Sequence, residues 1–332
     1  MKCEVLPIEL KLKNDFIVAG GKASIKNNFI VILDNIGLGE AAGSVHYGVD
    51  DRKILEELSS IADEINCLQT NLDEYIETID DKYSAPTLCA ISTAWHDLQC
   101  KNNRQNISEY FSLPEPQKKP TSLTVSVGDL DQLKRVISSN AQFVKLKMNN
   151  DLNAADNIIA LINQSEGTRF RIDANGSWDI SMVEFFINNV RTDKIELIEQ
   201  PFDYEKLDLW TQLRSETDIP IFMDESINSP TDIKRVAEFV DGVNIKIQKT
   251  GRLETAIEMI KIAKQNNLKT MIGCMIESSI GIAAAYSLSG MADFIDLDGA
   301  LLIENDPFDG LSYNNQYLNI NGKYGHGITL AK

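Results

Sequence analysis

The second half of the chain alternates short β-rich runs with amphipathic helical segments. The runs are TSLTVSVG, FVKLKM, RFRIDAN, KIELIEQPF, IPIFMDES, GVNIKIQK, LKTMIGCMIES and DFIDLDG. Between two of them, RLETAIEMIKIAKQNN places Leu253, Ala256, Ile257 and Ile260 on one apolar helical stripe. Eight strand-like runs separated by helical segments predict an α/β fold with a parallel barrel of the TIM type.

The first 110 or so residues follow a different pattern, in which strands precede helices. EVLPIELKLK and NFIVILDN have strand-like patterns, whereas DDRKILEELSSIADEI and APTLCAISTAWHDLQCK have helical spacing. The segment SLPEPQKKPT, residues 112–121, contains three prolines and separates the two patterns. We therefore predict an α+β domain at residues 1–115, followed by a barrel domain at residues 116–312.

Composition excludes several kinds of partner. The chain has 49 acidic and 32 basic residues, and its net charge of -17 repels nucleic acid and anionic lipid, so neither is predicted as a partner. The sequence has no apolar run long enough for a membrane span and no signal-peptide pattern, so a cytoplasmic location is expected. Five cysteines without a CxxC pair indicate neither a disulfide framework nor a zinc site.

Charged residues recur at the ends of the predicted barrel strands. The series is Lys147, Asp173, Glu199, Asp224, Lys246 and Asp298. Successive residues of this series are separated by 26, 26, 25, 22 and 52 positions, and the last interval is two steps of 26. One βα unit has about this length. All six residues are therefore predicted at the carboxyl ends of their strands, where barrel enzymes carry their catalytic groups.

Three of these residues are carboxylates on successive strands. Asp173, Glu199 and Asp224 would repel one another in a partly buried site unless a cation joined them. Mg²⁺ prefers oxygen ligands and keeps positions open for water or substrate, and the chain's few histidines lie away from these strand ends. The sequence therefore predicts one Mg²⁺ held by these three carboxylates.

Two lysines flank the predicted metal ligands. Lys147 precedes the first ligand by one strand and Lys246 follows the last, so they should lie on opposite sides of the metal. A buried lysine beside a cation loses its proton more easily and suits general acid–base catalysis. One lysine could remove a proton from carbon and the other return it on the opposite face, while the metal and Lys145 hold the charge of an enediolate.

These motifs resemble the enolase superfamily in its muconate-lactonising subgroup, and specifically its dipeptide epimerases. The resemblance rests on KLK, DANGSW, IEQP, MDES and NIKIQKTGR, and it covers nearly the whole chain. It implies a modified (β/α)7β barrel and an N-terminal capping domain that residues 313–332 complete. It also implies a Mg²⁺-dependent isomerase acting on a small dipeptide, with L-Ala-L-Glu and L-Ala-D-Glu as the default substrates, and a possible homo-oligomer.

The resemblance also implies the substrate contacts. In DLDG, Asp296 and Asp298 are similar to the Asp-x-Asp pair that binds a dipeptide's ammonium group, and two aspartates on one side of a strand form an anionic pocket. GCMIES is similar to a segment that contacts the substrate backbone. The remaining predicted contacts are Cys274, Met275, Ile276, Thr124 and, where related Ala-Glu epimerases carry arginine nearby, Lys22.

Other functions stay open from the sequence alone. A lyase such as o-succinylbenzoate synthase, or an N-acylamino acid racemase, would use the same lysines and metal. A more remote alternative is a metal-binding scaffold without catalytic activity. The motif GLGEAA, residues 37–42, fits a loose dinucleotide-binding pattern, but no amphipathic helix follows it at once, so no such site is predicted.

Overall fold

The computed structural model describes residues 1–18, 21–43, 48–68, 72–79 and 82–331, without the side chains of residues 16–18, 21, 22, 73 and 77. The N-terminal region begins with an antiparallel sheet in the order β1-β2-β3, formed by Cys3–Val18, Gly21–Leu33 and Gly37–Ala41. Its helices are α1 Asp51–Cys67, α2 Leu72–Thr78, α3 Ala85–Asn103 and α4 Ile107–Tyr110. The predicted α+β pattern is confirmed, but β3, which contains GLGEA, was not predicted as a strand.

Both faces of this sheet are covered. Alternate residues of β1 and β2 point to opposite sides, so one face packs on the apolar stripe of α1, which consists of Ile54, Leu58, Ile61 and Ile65. The opposite face carries Ile30, Ile32 and Leu38, which pack against Ile280 and Ala283. Because these last two residues follow the tenth strand of the chain, the N-terminal sheet lies directly against the second half of the molecule.

The barrel strands form one eight-stranded sheet whose neighbours follow chain order and run parallel. They are β4 Leu123–Val125, β5 Phe143–Lys147, β6 Arg169–Asp173, β7 Ile195–Glu199, β8 Ile221–Met223, β9 Gly242–Lys246, β10 Lys269–Gly273 and β11 Phe294–Asp296. The helices are α5 Leu130–Ser138, α6 Leu152–Gln164, α7 Ile180–Asn189, α8 Leu207–Glu216, α9 Pro230–Val236, α10 Ile247–Thr250, α11 Leu253–Gln265 and α12 Ser279–Tyr286. The predicted barrel of eight parallel strands and intervening helices is confirmed.

Side chains join the two edges of this sheet, β4 and β11. The Leu297 N–H donates to Thr121 Oγ1 over 2.7 Å, and the Thr124 N–H donates to Asp298 Oδ2 over 2.6 Å. Both contacts bring the segment after β11 beside the first strand. Asp298 therefore lies at the same end of the barrel as the other predicted site residues.

The C-terminal segment contains β12 Phe308–Asp309, β13 Leu311–Asn314, β14 Tyr317–Ile320 and β15 Thr329–Leu330. Gln316 Nε2 donates to the carbonyls of Thr121 and Phe143 beside the first barrel strands. Further on, the His326 N–H donates to Asp97 in α3. The segment thus contacts both regions, and the domain limits 1–115, 116–312 and 313–332 stay a prediction. Among the described helices, none has the length and apolar character of a membrane span.

Candidate active site

Three buried carboxylates form a row along the carboxyl edge of the barrel. The strand register pairs Asp173 with Glu199, and Asp224 follows the last residue of the next strand, β8. Their exposed fractions are 0%, 0% and 1%. Because parallel strands end at one edge of a sheet, the 26-residue spacing in the sequence places these side chains next to one another. We call Asp173, Glu199 and Asp224 the carboxylate row.

The two predicted acid–base lysines contact opposite ends of the carboxylate row. Lys147 Nζ lies 2.6 Å from Asp173 Oδ2, and Lys246 Nζ lies 2.7 Å from Asp224 Oδ2. Lys147 is on β5 and Lys246 on β9, with the three acid-bearing strands between them. The two amines therefore approach the space above the row from different sides.

Lys145 lies inside the cluster. Its Nζ is 2.9 Å from Asp173 Oδ2, 2.6 Å from Glu199 Oε2 and 2.8 Å from Asp296 Oδ2. Burial lowers the pKa of Lys145, but these carboxylates outweigh it and raise the pKa well above the ordinary value. The spacing of the carboxylates predicts a metal ion between them, and the structure also places this ammonium group among them.

The pKa values of the three carboxyl groups in the row are shifted in different directions. Burial would raise the pKa of Asp173 and of Asp224, but the neighbouring lysines hold both pKa values below the ordinary range. For Glu199, burial is the larger effect and raises its pKa to about 7, although Lys145 opposes the change. The middle member of the row is therefore the one that exchanges a proton near neutral pH.

Two residues of the site, Lys249 and Asn244, were not predicted from the sequence. Lys249 is buried, and its Nζ lies 2.6 Å from Asp224 Oδ1. Asn244 Nδ2 donates to Glu199 Oε1 over 2.7 Å. Asn244 precedes Lys246 by two positions on β9, so the same alternation argument that placed Lys145 beside Lys147 would have found it. Lys249 lies beyond the strand, in α10, and no strand periodicity predicts its direction.

The side chains of the carboxylate row determine whether a divalent cation fits there. Among the described residues, no three acidic, histidine or cysteine side chains already surround one ion position. The donor set nevertheless suits Mg²⁺, because it consists of three adjacent buried carboxylates. The buried Glu199 Oε2 forms an ion pair with Lys145, whose Nζ lies 2.6 Å away. The residues present therefore fit a divalent cation at the carboxylate row.

The two aspartates of DLDG are close to the row and differ in charge. Asp296 accepts from Lys145 Nζ over 2.8 Å and from Ser122 Oγ over 2.5 Å. Burial raises its pKa, but Lys145 and Arg171 outweigh that effect and hold it well below the ordinary value. Burial and the nearby Asp296 raise the pKa of Asp298 to about 7. The two aspartates therefore form a buried acidic pair, in which Asp296 is ionised and Asp298 titrates near neutrality.

The remaining predicted contacts lie in different settings. Cys274, Met275 and Ile276 follow β10 and are half-buried, and burial raises the pKa of Cys274 well above the ordinary thiol value. Thr124 is buried on β4 beside Asp298. The side chain of Lys22 lies outside the described residues, so its predicted contact is not tested.

A cavity of about 560 Å³ opens at this end of the barrel. It is lined from the N-terminal region by Ala42 and Pro86, and from the barrel by Gln200, Lys249 and Met275, among others. Its volume is in the range of small-molecule sites. Of the predicted substrate contacts, Met275 lines this cavity, and Lys249 connects its wall to Asp224.

Comparison with known proteins gives consistent matches over the chain. Residues 129–332 match the family model "Enolase C-terminal domain-like". The chain is 31% identical to the L-Ala-D/L-amino acid epimerase of Pedosphaera parvula, over 94% of each chain. It is 28% identical to the L-Ala-D/L-Glu epimerase of Bacteroides thetaiotaomicron, over 99% of this chain and 88% of that one.

A solved structure has the same fold. The dipeptide epimerase of Enterococcus faecalis, complexed with Mg and the dipeptide L-Leu-L-Tyr, superposes with a TM-score of 0.89 over 99% of both chains at 24% identity. At that identity the likeness concerns the fold, which agrees with the barrel and N-terminal sheet described above.

Proposed function

The chain belongs to the enolase superfamily, and from that premise we propose that it is a Mg²⁺-dependent dipeptide epimerase that inverts the Cα of the C-terminal residue. The Pedosphaera parvula and Bacteroides thetaiotaomicron relatives, which match nearly the whole chain, are epimerases, so the predicted superfamily and isomerase class are confirmed. The substrate, the metal and the residue roles are the proposal.

One observation carries this function: Lys147 and Lys246 contact opposite ends of the carboxylate row. Inversion at a carbon whose substrate stays bound in one orientation requires a base on one face of the substrate and an acid on the other. Two amines that flank one buried row can meet this requirement, whereas a single base cannot. Each lysine lies on a strand of the rigid barrel, which fixes its position better than a loop would.

The chain's own groups can carry out the proton transfer. In one direction, the neutral amine of Lys147 accepts the α-proton and the ammonium group of Lys246 donates a proton to the opposite face. In the other direction the roles are exchanged. Lys145 stays an ammonium group because its pKa is raised well above the ordinary value, so it stabilises negative charge that develops on the substrate.

Asp173, Glu199 and Asp224 would hold the Mg²⁺. When bound, the ion would act as a Lewis acid that stabilises negative charge on the substrate carboxylate. The adjacency of three buried carboxylates, whose oxygens suit a hard divalent cation, supports this assignment. The related Enterococcus faecalis epimerase, crystallised with Mg and a dipeptide, supports it as well.

The substrate's free ammonium group would bind at Asp296 and Asp298. Both are buried at the edge of β11, and a cation there favours the ionised form of Asp298. L-Ala-X dipeptides fit this assignment, and two relatives are named for L-Ala substrates. We take L-Ala-L-Glu and L-Ala-D-Glu as the default pair, with Lys22 as the proposed partner of the glutamate side chain.

The direct test is incubation of the enzyme with Mg²⁺ and L-Ala-X dipeptides in D2O, followed by mass spectrometry. Epimerisation should place one solvent deuterium at the Cα of the C-terminal residue. A library of dipeptides run in parallel would rank the C-terminal side chains, beginning with L-Ala-L-Glu. Absence of exchange with every dipeptide would refute the proposal.

An Asp298→Ala variant separates a dipeptide epimerase from enzymes that act on N-acylated or non-amino substrates. A dipeptide epimerase should lose affinity because its substrate carries an ammonium group. An N-acylamino acid racemase or o-succinylbenzoate synthase should keep its affinity. Wild-type exchange on N-succinyl amino acids without exchange on dipeptides would favour the racemase.

A further inference from the structure

The GLGE motif in β3, which the proposed chemistry does not use, carries a carboxylate into the contact between the N-terminal sheet and the barrel. Gly37 and Gly39 lie against the backbone of α3, where an added Cβ would come within 2.3 Å of the Ala94 carbonyl and 1.9 Å of the Ala90 carbonyl. Only glycine permits this approach. The two glycines therefore let β3 pack closely on α3. This close packing determines how far the next residue, Glu40, extends into the interface with the barrel.

Glu40 crosses the interface and accepts hydrogen bonds from the barrel. Its carboxylate accepts from the Ser278 N–H over 2.9 Å, from Ser278 Oγ over 2.6 Å and from the Gly281 N–H over 3.0 Å. From its own sheet it accepts from Asn28 Nδ2 over 2.7 Å. Glu40 is 1% exposed, so every one of these contacts forms away from water. A buried carboxylate with so many donors holds their positions firmly.

The residues that Glu40 holds adjoin the proposed substrate contacts. Ser278 ends the segment that follows β10, and we call residues 274–278 the β10 loop. Asn28 Nδ2, which donates to Glu40, also donates to the carbonyl of Ile276 over 2.9 Å. The β10 loop is thus attached to the N-terminal sheet at two points.

A second branch of the network reaches the turn after Lys246. Gln248 Nε2 donates to the Glu40 carbonyl over 2.9 Å and to Glu277 Oε2 over 2.8 Å, and its Oε1 accepts from the Ala42 N–H over 3.1 Å. Glu277 in turn accepts from the Met275 N–H over 2.7 Å. One buried polar network therefore connects β3, the β10 loop and α10.

We propose that Glu40 is a positioning residue that holds the β10 loop where it can contact the substrate backbone. The inference rests on the proposed function, because the substrate contacts of the β10 loop belong to it. Glu40 does not touch the reacting atoms. Its carboxylate is required because a glutamine there would place its NH2 group against other donors.

A comparison of Glu40→Gln with Asp97→Asn tests this role. Asp97 is the matched control, because it is also a fully buried carboxylate next to β3, accepting from the Leu38 and His326 N–H groups and from Lys101 Nζ. It has no described contact with the β10 loop. Both variants should lose thermal stability. Only Glu40→Gln should raise KM, by about tenfold, the scale of a lost hydrogen bond to a buried charge.

Hydrogen–deuterium exchange gives a second readout that does not depend on activity. Amides of residues 274–281 should exchange faster in Glu40→Gln than in the wild type, and at the wild-type rate in Asp97→Asn. If Glu40→Gln does not fold, Ser278→Ala removes one of its hydrogen bonds and should give smaller changes in the same direction.

Unchanged KM and unchanged exchange at residues 274–281 in Glu40→Gln would overturn the positioning role and leave Glu40 as a structural residue. Faster exchange with unchanged KM would overturn it as well. A wild-type enzyme that turns over no dipeptide would refute the proposed function, and the exchange rates would then still decide whether Glu40 holds the β10 loop.

Discussion

Replacement of Lys145 by methionine tests the electrostatic balance of the site most directly. Methionine is similar in length but carries no charge, so Lys145→Met removes the ammonium group with little change in packing. In the metal-free protein this leaves Asp173, Glu199 and Asp296 without their shared cation. We expect a clear loss of stability that Mg²⁺ partly reverses.

The size of the loss can be worked from the distances. At an effective dielectric constant of about 20, each contact of 2.6 to 2.9 Å corresponds to about 6 kcal/mol of attraction. Desolvation of the buried charges offsets much of this, and removal of one partner from a buried ion pair costs about 3–5 kcal/mol. For a chain of 332 residues, that loss lowers Tm by about 4–7 °C.

The loss should also depend on pH. Without Lys145, the pKa of Glu199 should rise above the present value of about 7. A carboxyl group whose pKa is higher in the folded than in the unfolded state loses stability as pH rises toward the folded pKa. The variant's deficit should therefore be larger at pH 8 than at pH 6, where Glu199 takes up a proton.

Thermal unfolding in EDTA and in Mg²⁺, at both pH values, provides the assay. Arg171→Met is the matched control, because Arg171 is also a buried cation of the barrel but pairs with Glu196, with Nε 2.6 Å from Oε2. Mg²⁺ should raise the Tm of Lys145→Met more than that of the control or the wild type. A Lys145→Met protein as stable as the wild type in EDTA, or a deficit independent of pH, would refute this reasoning.

Three further predictions concern catalysis. Lys147→Ala and Lys246→Ala should each lower the rate of epimerisation by at least about 10²-fold. Each variant should still exchange the α-proton of one enantiomer of the substrate for solvent deuterium. Loss of exchange with both enantiomers in both variants would contradict the two-base arrangement. KM for a dipeptide should fall as pH rises through about 7, because the pKa of Asp298 is raised to about 7 and its ionised form binds the ammonium group. Asp298→Asn should remove this pH dependence, and a wild-type KM that does not vary with pH would count against the assignment. EDTA should abolish activity and lower Tm, and Mg²⁺ should restore both; full turnover in EDTA would exclude the metal.

Local periodicity accounts for the parts of the structure that were predicted correctly. Strand alternation places Lys145 and Lys147 on one side of β5, and the 26-residue repeat places Asp173 and Glu199 opposite each other on adjacent strands. Both patterns depend only on residues near one another in the chain and on the regular geometry of a parallel barrel. The candidate site could therefore be predicted from the sequence alone.

The charge balance within that site could not be predicted in the same way. The sequence shows that Lys145 points inward, but not that its ammonium group lies within 3 Å of Asp173, Glu199 and Asp296. Side-chain direction beyond Cβ depends on rotamers and on neighbours from several strands. For this reason the pKa of Glu199, which burial raises to about 7, could not be derived from the sequence.

The sequence by itself determined the barrel, its carboxyl edge and the charged residues gathered there, because a repeated βα unit brings every strand end to the same place. Only the tertiary structure decided how the N-terminal sheet meets that edge. Glu40 and Ser278 are separated by 238 positions, and no periodic pattern links them. Their contact exists because Gly37 and Gly39 let β3 lie on α3 and because the apolar face of the sheet packs on α12. Docking of two separately patterned surfaces depends on their combined shape, which neither segment encodes alone.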